Sequence, residues 1–274
     1  MKLLVLMSTH NRQKELTSCL TALCKSFSIS DVTVSLSNSG DAVSLPSDLN
    51  IKVRVASVSK DAFWAEAMYS ASSLYTMDYG YTHVLWLNED VILYPNSIDE
   101  LIDLMYSCNA DIVVGQTSSE DNEITYGGFL RYSKFKPLHF RRITAVEEPM
   151  NADTFNGNVV LLGPNALIQT GPFLPGYKHY LADIAYGLNA TRKGLNVMVS
   201  PRFSGTCQLN DSVNPSLDIS VRRKERIKAL NSPLGIPIWQ QLRFSLRYGG
   251  PVGIFYFFVT YFRFMITLCV YKEP

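Results

Sequence analysis

The sequence predicts an α/β fold in which helices flank a central sheet, followed by a helical C-terminal extension. Short β-rich runs alternate with helical stretches over residues 1–115, as a doubly wound sheet requires. A chain of 274 residues, 47% hydrophobic and 18% charged, can also bury a large core. Polar residues follow two of the predicted strands directly at their carboxyl ends. These observations exclude a disordered chain and indicate a folded domain with a ligand-binding edge.

Five β-rich runs and two helical patterns make up the first half of the chain. We expect strands at residues 2–8, 32–36, 51–56, 82–87 and 111–115. The first helix is indicated by apolar residues at helical spacing, namely Leu16, Leu20, Leu23 and Phe27. Asn96 is expected to cap a second helix that runs to Ser107.

The second half of the chain is more polar at first. Residues 116–157 are turn-rich, residues 158–163 have the pattern of another buried strand, and residues 181–193 have that of a helix closed by Gly194. No internal repeat or low-complexity linker divides the sequence. We therefore expect one domain over residues 1–215, with halves that meet near residue 115, and an extension over residues 216–274.

Glycine spacing, charge and cysteine content exclude several classes of protein. No glycine precedes Gly40, so the first strand-to-helix turn holds neither a dinucleotide-binding G-x-G-x-x-G loop nor a Walker A loop. The net charge of +1 gives no indication of a nucleic-acid partner. The five cysteines are scattered and the N-terminal apolar run is too short for a signal peptide, so we expect reduced thiols in the cytoplasm.

An acidic pair follows the fourth predicted strand. Ligands of open α/β sheets bind beyond the carboxyl ends of strands, which directs attention to residues 8–12 and to Asn88, Glu89 and Asp90. Mg²⁺ and Mn²⁺ prefer oxygen ligands and often take only one or two carboxylates from a protein when phosphates supply the others. The same residues could equally cap the next helix or lie solvated in a loop, and this segment alone does not separate the interpretations.

Seven short blocks follow one another along the chain. They are residues 8–12 (STHNR), 63–68 (FWAEAM), 85–90 (LWLNED), 154–158 (TFNGN), 179–188 (HYLADIAYGL), 205–207 (GTC) and 231–237 (NSPLGIP). Taken in this order, they resemble the family 2 glycosyltransferases of bacteria, of the kind that builds capsular polysaccharide or lipopolysaccharide. Each block is weak by itself, and the resemblance rests on their order along nearly the whole chain. It implies a GT-A-type mixed sheet whose first half binds a nucleoside-diphosphate sugar and whose second half binds the acceptor.

The resemblance implies a role for each residue on the donor side. The donor-binding set is Thr9, Asn11, Arg12, Asn38, Trp64, Asn88 and Glu89. Asp90 is the implied ligand of a divalent cation, Mn²⁺ or Mg²⁺. From the residues alone, the turn at Thr9 and Arg12 could instead be an ordinary helix start, and Trp64 could belong to the core.

On the acceptor side, the resemblance implies that Asp183 is the catalytic base. This residue lies at the start of a predicted helix, whose N-terminal dipole favours an ionised carboxylate. A simple helix cap is the alternative interpretation. The implied acceptor-binding set is Phe155, Asn156, Gly157, Asn158 and His179.

These implications describe an inverting, metal-dependent glycosyltransferase that acts on a bacterial surface polysaccharide or its lipid-linked precursor. Residues 37–39 (SNS) stand where many relatives have an acidic residue that recognises the base, and Ala185 and Asn189 stand where Asp and Arg are common. These departures leave the identity of the nucleotide base undetermined. They also favour one alternative, a catalytically degenerate protein that binds a glycan or organises a membrane assembly. A sugar nucleotidyltransferase, the other alternative, would need a glycine-rich loop after the first strand, and residues 8–30 contain no glycine.

The C-terminal extension is basic and ends in an apolar tail. Nine Lys and Arg against two Glu give residues 222–274 a net charge of +7, which leaves −6 on residues 1–221. Residues 251–271 are nearly all apolar or aromatic, with Arg263 as their only charge. A central arginine is costly within a bilayer, so we expect this tail to lie in the interface and the enzyme to be peripheral on the inner face of the membrane. Packing on the same chain, or between subunits of a homo-oligomer, is the alternative.

Overall fold

The computed structural model of the chain describes residues 1–76, 80–133, 135–144, 147–209, 214 and 216–269. The strands are β1 (Leu3–Thr9), β2 (Val32–Asn38), β3 (Lys52–Ser57), β4 (His83–Leu87), β5 (Ile92–Leu93), β6 (Ile112–Ser118), β7 (Ile124–Tyr126), β8 (Gly128–Ser133), β9 (Lys136–Arg142), β10 (Met150–Asn151), β11 (Thr154–Phe155), β12 (Val159–Leu162) and β13 (Val197–Thr206). The α-helices are α1 (Gln13–Leu23), α2 (Trp64–Ala71), α3 (Ser73–Thr76), α4 (Ser97–Ser107), α5 (Pro164–Thr170), α6 (Ala182–Arg192), α7 (Arg223–Leu230), α8 (Ile238–Tyr248) and α9 (Gly253–Cys269). A 3-10 turn, Gly250–Val252, joins α8 to α9.

Among the described residues, ten strands form one mixed sheet. Their order is β10-β13-β6-β12-β4-β1-β2-β3, with β5 paired to β13 and β7 paired to β6. Strands β3, β2, β1 and β4 are parallel, whereas β12 runs antiparallel to both β4 and β6. Because β12 is reversed, its amino end lies at the same edge of the sheet as the carboxyl ends of β1 and β4. That edge therefore receives residues from both halves of the chain.

Side chains alternate between the two faces of the sheet, as the period of a β-strand requires. On β1, Leu3 and Val5 pack in one core with α1 and α4, whereas Leu4 and Leu6 pack in the other core with α2, α5 and α6. All four side chains are fully buried. Helices thus cover the first strand on both sides, which explains why its sequence is continuously apolar.

The structure confirms the five strands predicted in residues 1–115 and corrects the bounds of the first helix and the content of residues 116–157. Helix α1 ends at Leu23, so Phe27 lies beyond the helix and packs, partly buried, against the core. The stretch 116–157, which we expected to be turn-rich, contains several short strands, and three of them form a separate sheet in the order β11-β8-β9. Residue 215, the predicted domain boundary, and residues 270–271, the end of the predicted apolar tail, lie outside the described residues.

Trp86 on β4 joins the sheet to the elements that carry the second half of the site. Its side chain is fully buried, and its indole N–H donates a hydrogen bond to the carbonyl of Pro172 at 2.8 Å. Four aromatic rings lie with their centroids within 6.5 Å of the Trp86 ring, those of Trp64, Phe155, Phe173 and Tyr186. These contacts fix α2, β11 and α6 relative to β4.

Helix α6 approaches β11 closely at Gly187. A Cβ atom at this position would lie 2.5 Å from Thr154 Oγ1 and 2.8 Å from Thr154 Cα, so only glycine fits. The Thr154 hydroxyl in turn donates to the carbonyl of Ile184 at 2.8 Å. The first turn of α6 is therefore held beside the segment that connects β11 to β12.

We predict that Trp86→Phe lowers the free energy of unfolding by about 2–4 kcal/mol, because it leaves a cavity and removes the donor to Pro172. The matched control is Trp239→Phe, since Trp239 is 81% exposed and its replacement should change stability by less than about 0.5 kcal/mol. Urea unfolding of both variants measures the difference. Equal and small losses in the two variants would contradict the role given to Trp86.

Candidate active site

A cleft of about 780 Å³ lies at the edge where the carboxyl ends of β1 to β4 meet the amino end of β12. Thr9 ends β1, residues 88–90 follow β4, residues 156–158 precede β12, and Asp183 lies in the first turn of α6. Ligands of α/β sheets bind at such an edge. The two turns that the sequence singled out therefore form parts of one cleft.

One wall of the cleft carries two carboxylates beside a single arginine. Arg12 Nη1 lies 3.2 Å from Asp90 Oδ2, and Arg12 Nε lies 3.9 Å from Glu89 Oε1. The Cys207 thiol donates to the other oxygen of Asp90 at 3.5 Å. Burial raises the pKa of Glu89 to about 7, and the adjacent Arg12 guanidinium opposes that shift. This wall can bind an anionic group through Arg12 and a cation through the carboxylates.

These carboxylates could hold a divalent cation. Among the described residues, no group of three His, Cys, Asp or Glu side chains could hold a metal ion. Glu89 and Asp90 nevertheless lie side by side, and Glu89 Oε2 is buried without a hydrogen-bond partner among the described residues. Such a donor set fits Mg²⁺ or Mn²⁺, which accept one or two carboxylates and complete their shell with phosphate oxygens and water.

Asn88 forms the floor between the two sides of the cleft. Its backbone N–H donates to the carbonyl of Asn158 at 3.0 Å, which continues the pairing of β4 with β12. Its side-chain oxygen accepts a hydrogen bond from the indole N–H of Trp64 at 2.8 Å. Asn88 therefore holds Trp64 in place. The Trp64 ring lines the cleft while packing edge-on against Phe173, so it belongs to both the core and the site.

Asp183 is held by two backbone donors on the opposite wall. Its Oδ2 accepts from the Gly157 N–H at 3.1 Å and its Oδ1 accepts from the Ile184 N–H at 2.8 Å. Burial raises the pKa of Asp183, while these two hydrogen bonds and nearby His179 oppose the shift. Burial also lowers the pKa of His179. The pair thus combines a desolvated carboxylate with an imidazole that is neutral at pH 7.

Four buried polar atoms of the lining have no hydrogen-bond partner among the described residues. They are Thr9 Oγ1, Glu89 Oε2, Asn156 Oδ1 and His179 Nδ1. Buried polar groups in folded proteins are nearly always paired, because leaving one unpaired costs about 1–3 kcal/mol. Their concentration in one cleft, on both walls, indicates that the cleft accepts a ligand rich in hydrogen-bonding groups.

Two residues predicted to bind the donor are not among those that line the cleft. Asn11 Oδ1 accepts a hydrogen bond from the Asp41 N–H at 2.8 Å. Asn38 donates to the Asp41 carbonyl at 2.7 Å and accepts from the Gly40 N–H at 2.9 Å. Both side chains therefore fold the loop after β2, and neither lines the cleft. Direct contact of either residue with a donor stays a prediction.

Phe155, a member of the predicted acceptor-binding set, does not line the cleft. Its side chain is fully buried, with its ring centroid 6.1 Å from that of Trp86, so it lies in the core. Ala185 and Asn189, the two departures from the family pattern in the second half of the chain, are buried as well. Asn189 accepts a hydrogen bond from Arg247 at 3.1 Å, on the side of α6 that faces α8. Neither departure lines the cleft.

The cleft is also lined by residues that the sequence argument did not select. They include His10, Ser39, Lys60, Tyr126 and Tyr180. His10 Nδ1 lies 3.1 Å from the Ser39 hydroxyl, and the two form the wall beyond β1 and β2. Ser39 and Lys60 follow β2 and β3, so the same rule about the carboxyl ends of strands would have found them if applied to every parallel strand.

The sequence matches no protein-family model and no curated protein. Solved structures do match the fold. S. aureus TarS 1–349 in complex with UDP-GlcNAc superposes with a TM-score of 0.56 at 13% identity, over 90% of this chain and 76% of that one. S. aureus TarS 1–349 gives 0.54 at 14% identity, over 92% and 74% of the two chains.

A third solved structure, of S. aureus TarS, gives a TM-score of 0.52 at 15% identity over 84% of this chain. This protein spans only 40% of the length of that TarS chain. Together the three likenesses confirm the predicted fold class, a GT-A-type mixed sheet flanked by helices and followed by C-terminal helices.

We predict that Asp183 makes stability fall as pH rises. Its folded-state pKa is raised, so the folded protein retains a proton that the unfolded chain releases above about pH 4. Stability is therefore lost between that pH and the raised pKa. As the pH rises through this window, the unfolding free energy of the native protein should fall relative to that of Asp183→Asn. Urea unfolding at several pH values measures it.

Asp121→Asn, at an exposed position, controls for the loss of a negative charge. Its unfolding free energy should keep a constant offset from the native protein over the same window. A pH-independent difference for Asp183→Asn would show that Asp183 has an ordinary pKa.

Proposed function

We propose that the protein is an inverting, metal-dependent glycosyltransferase that transfers a sugar from a nucleoside-diphosphate sugar to a hydroxyl group of a bacterial surface polysaccharide or its lipid-linked precursor, of the capsular or lipopolysaccharide kind. The observation that carries the proposal is that one cleft holds two separate carboxylate centres. Glu89 and Asp90 lie beside Arg12 on one wall, and Asp183 lies on the other. The fold supports it, since TarS 1–349, which shares this fold, was crystallised with the nucleotide sugar UDP-GlcNAc.

The donor binds on the side of β1 to β4 in this proposal. The Arg12 guanidinium can pair with diphosphate oxygens, and the unpaired Thr9 hydroxyl offers a further hydrogen bond. His10, Ser39 and Lys60 line the end where the nucleoside would lie. Asp90 and Glu89 would hold a Mn²⁺ or Mg²⁺ ion, and its charge would offset the negative charge of a departing diphosphate.

Asp183 acts as the base. Its carboxylate takes the proton of the acceptor hydroxyl while that oxygen forms a bond to the anomeric carbon of the donor. The bond from the anomeric carbon to the diphosphate breaks, and the nucleoside diphosphate leaves with the electron pair. Attack from the face opposite the leaving group inverts the anomeric centre. The N–H groups of Gly157 and Ile184 each occupy one lone pair of the carboxylate and leave others for the hydroxyl.

The acceptor is positioned by polar groups around Asp183. The unpaired Asn156 oxygen and the unpaired His179 Nδ1 lie in the same lining. Because burial lowers the pKa of His179, its imidazole is neutral at pH 7 and can either donate to or accept from a sugar hydroxyl. Amide and imidazole groups together suit a substrate whose surface is made of hydroxyls.

Asp90→Ala should lose metal-dependent nucleotide binding, whereas Asp183→Asn should lose transfer alone. We expect one nucleotide among UDP, GDP, dTDP and CDP to raise the melting temperature with Mn²⁺ present, since a ligand at 100 times its Kd adds about 2.7 kcal/mol. Asp90→Ala should lose this metal-dependent stabilisation. Asp183→Asn should retain it while transfer falls about 10²–10⁴-fold, because only the base is removed.

The measurements are thermal shift and release of nucleoside diphosphate from the corresponding nucleotide sugar. Asp121→Asn should match the native protein in both assays. Near-normal turnover by both site variants would contradict the roles of Asp90 as metal ligand and of Asp183 as base.

Gly157→Ala should lower transfer about 10–10²-fold by displacing Trp64, since a misplacement of about 1 Å is costly in catalysis. The added Cβ would lie 2.7 Å from Trp64 Cη2 and 2.8 Å from Cζ2. The ring must then move and weaken its bond to Asn88. A double-mutant cycle with Trp64→Phe tests this cause, because the smaller ring lacks the clashing atoms. If Gly157→Ala lowered transfer equally in the native protein and in Trp64→Phe, displacement of Trp64 would not be the cause.

A further inference from the structure

Helix α9 packs on the protein along one side and is exposed along the other. Gly253, Phe264 and Leu268 are its buried residues. The exposed large apolar side chains of the helix are between 43% and 67% accessible and comprise Ile254, Phe255, Phe258, Phe262, Met265 and Ile266. Their spacing of one, four, eight, eleven and twelve positions places them on one helical face. Exposed apolar stripes of this size mark an interaction surface.

The packed side of α9 is firmly attached. Arg226, fully buried on α7, donates to the Thr267 carbonyl at 2.9 Å and to the Thr267 hydroxyl at 2.7 Å, near the C-terminal end of α9. The Tyr261 hydroxyl donates to the Ile236 carbonyl at 3.0 Å. The stretch Gly250–Cys269 is long and apolar enough to cross a membrane, and most of its residues are not buried. Because these contacts bind it lengthwise to the protein, it is suited to lie along a surface.

Helix α8 packs against α9 and also exposes aromatic and basic side chains. Trp239 is 81% exposed and Leu246 is 56% exposed, and Arg243 and Arg247 are exposed between and beside them. Positions 239, 243, 246 and 247 share one face of a helix. We call the exposed residues of α8 and α9 named in this paragraph and above the α8–α9 face.

The charge of this region is unbalanced. Within the part of the chain that the structure describes, neither Arg243 nor Arg247 lies within 4.0 Å of a carboxylate. Arg192 of α6 lies close by, since its guanidinium and that of Arg247 both approach the ring of Tyr248, at 6.0 and 5.6 Å. Residues 222–274 carry +7 in total. A partner of opposite charge is therefore favoured.

We propose that the α8–α9 face docks the protein on an anionic lipid bilayer. Helix α9 would lie in the plane of the interface with its phenylalanines at the acyl boundary, while Arg243 and Arg247 contact lipid phosphates. Trp239 belongs at the same depth, because tryptophan prefers the boundary between head groups and acyl chains. A second copy fits less well, because a twofold interface would bury this face of both chains, and α8 and α9 carry no Asp or Glu that could pair with the arginines. The inference does not depend on the proposed reaction.

The test uses the full chain with vesicles of phosphatidylcholine, with and without one-third phosphatidylglycerol. We expect cosedimentation with the anionic vesicles, weaker binding to the neutral ones, and a fall in binding as salt is raised. Trp239 emission should shift to shorter wavelength on binding. Trp239→Phe should abolish the shift, because Trp86 is buried and Trp64 is partly buried.

Two double variants separate the apolar from the charged contribution. Phe258→Gln with Phe262→Gln should weaken binding to both vesicles by about tenfold or more. Arg243→Gln with Arg247→Gln should weaken binding to anionic vesicles by about 25-fold, at about fivefold for each charge, and leave binding to neutral vesicles unchanged. The controls Ile168→Gln, at an 81% exposed position, and Lys52→Gln, on the edge strand β3, should bind as the native protein does. Circular dichroism establishes that each variant is folded.

Two outcomes would overturn the proposal. The first is that the native protein fails to bind anionic vesicles, or that folded variants of the face bind as well as the controls do. The second is a native dimer in sedimentation equilibrium that Phe258→Gln with Phe262→Gln converts to a monomer, without vesicle binding. That result would assign the face to a second copy of the chain.

Discussion

The antiparallel pairing of β12 with β4 determines where each wall of the cleft stands. Val159 pairs with Leu87, and the next bond, from the Asn88 N–H to the Asn158 carbonyl, carries the ladder one step into the site. The segment before β12 is thereby held against the acidic turn after β4. Through the Gly157 N–H it also holds the Asp183 carboxylate at the start of α6. One reversed strand thus brings together Asn88, Gly157 and Asp183, which are far apart in the sequence.

The charges of the cleft explain why a cation belongs to the proposed chemistry. Three carboxylates, those of Glu89, Asp90 and Asp183, line the cleft, and a nucleoside diphosphate would add further negative charge. Arg12 and Lys60 are the Lys and Arg side chains among the described residues of the lining. They balance only part of that charge, so a divalent cation would complete the balance. The same desolvation that raises the pKa values of Glu89 and Asp183 costs folding free energy, which is typical of sites arranged for reactivity.

The C-terminal helices are joined to the cleft as well as to the proposed membrane surface. Gln240 of α8 donates to the carbonyl of Tyr180, whose side chain lines the cleft, and Leu234 lines it too. Arg247 bridges to Asn189 on α6, the helix that begins with the proposed base. A protein docked through α8 and α9 would therefore hold its cleft in a fixed orientation to the bilayer. That arrangement suits an acceptor whose glycan is attached to a lipid.

The sequence by itself determined the alternation of strands and helices, and with it the fold class, because apolar periodicity is a local property of the chain. It also located the turn after β1 and the acidic turn after β4, since polar residues interrupt buried strands only where the strands end. Only the tertiary structure decided that Phe155 and Asn38 face away from the cleft, and that β12 runs against its neighbours. The physical reason is that the direction of a short strand, and the side to which its residues point, depend on pairing with segments distant in sequence.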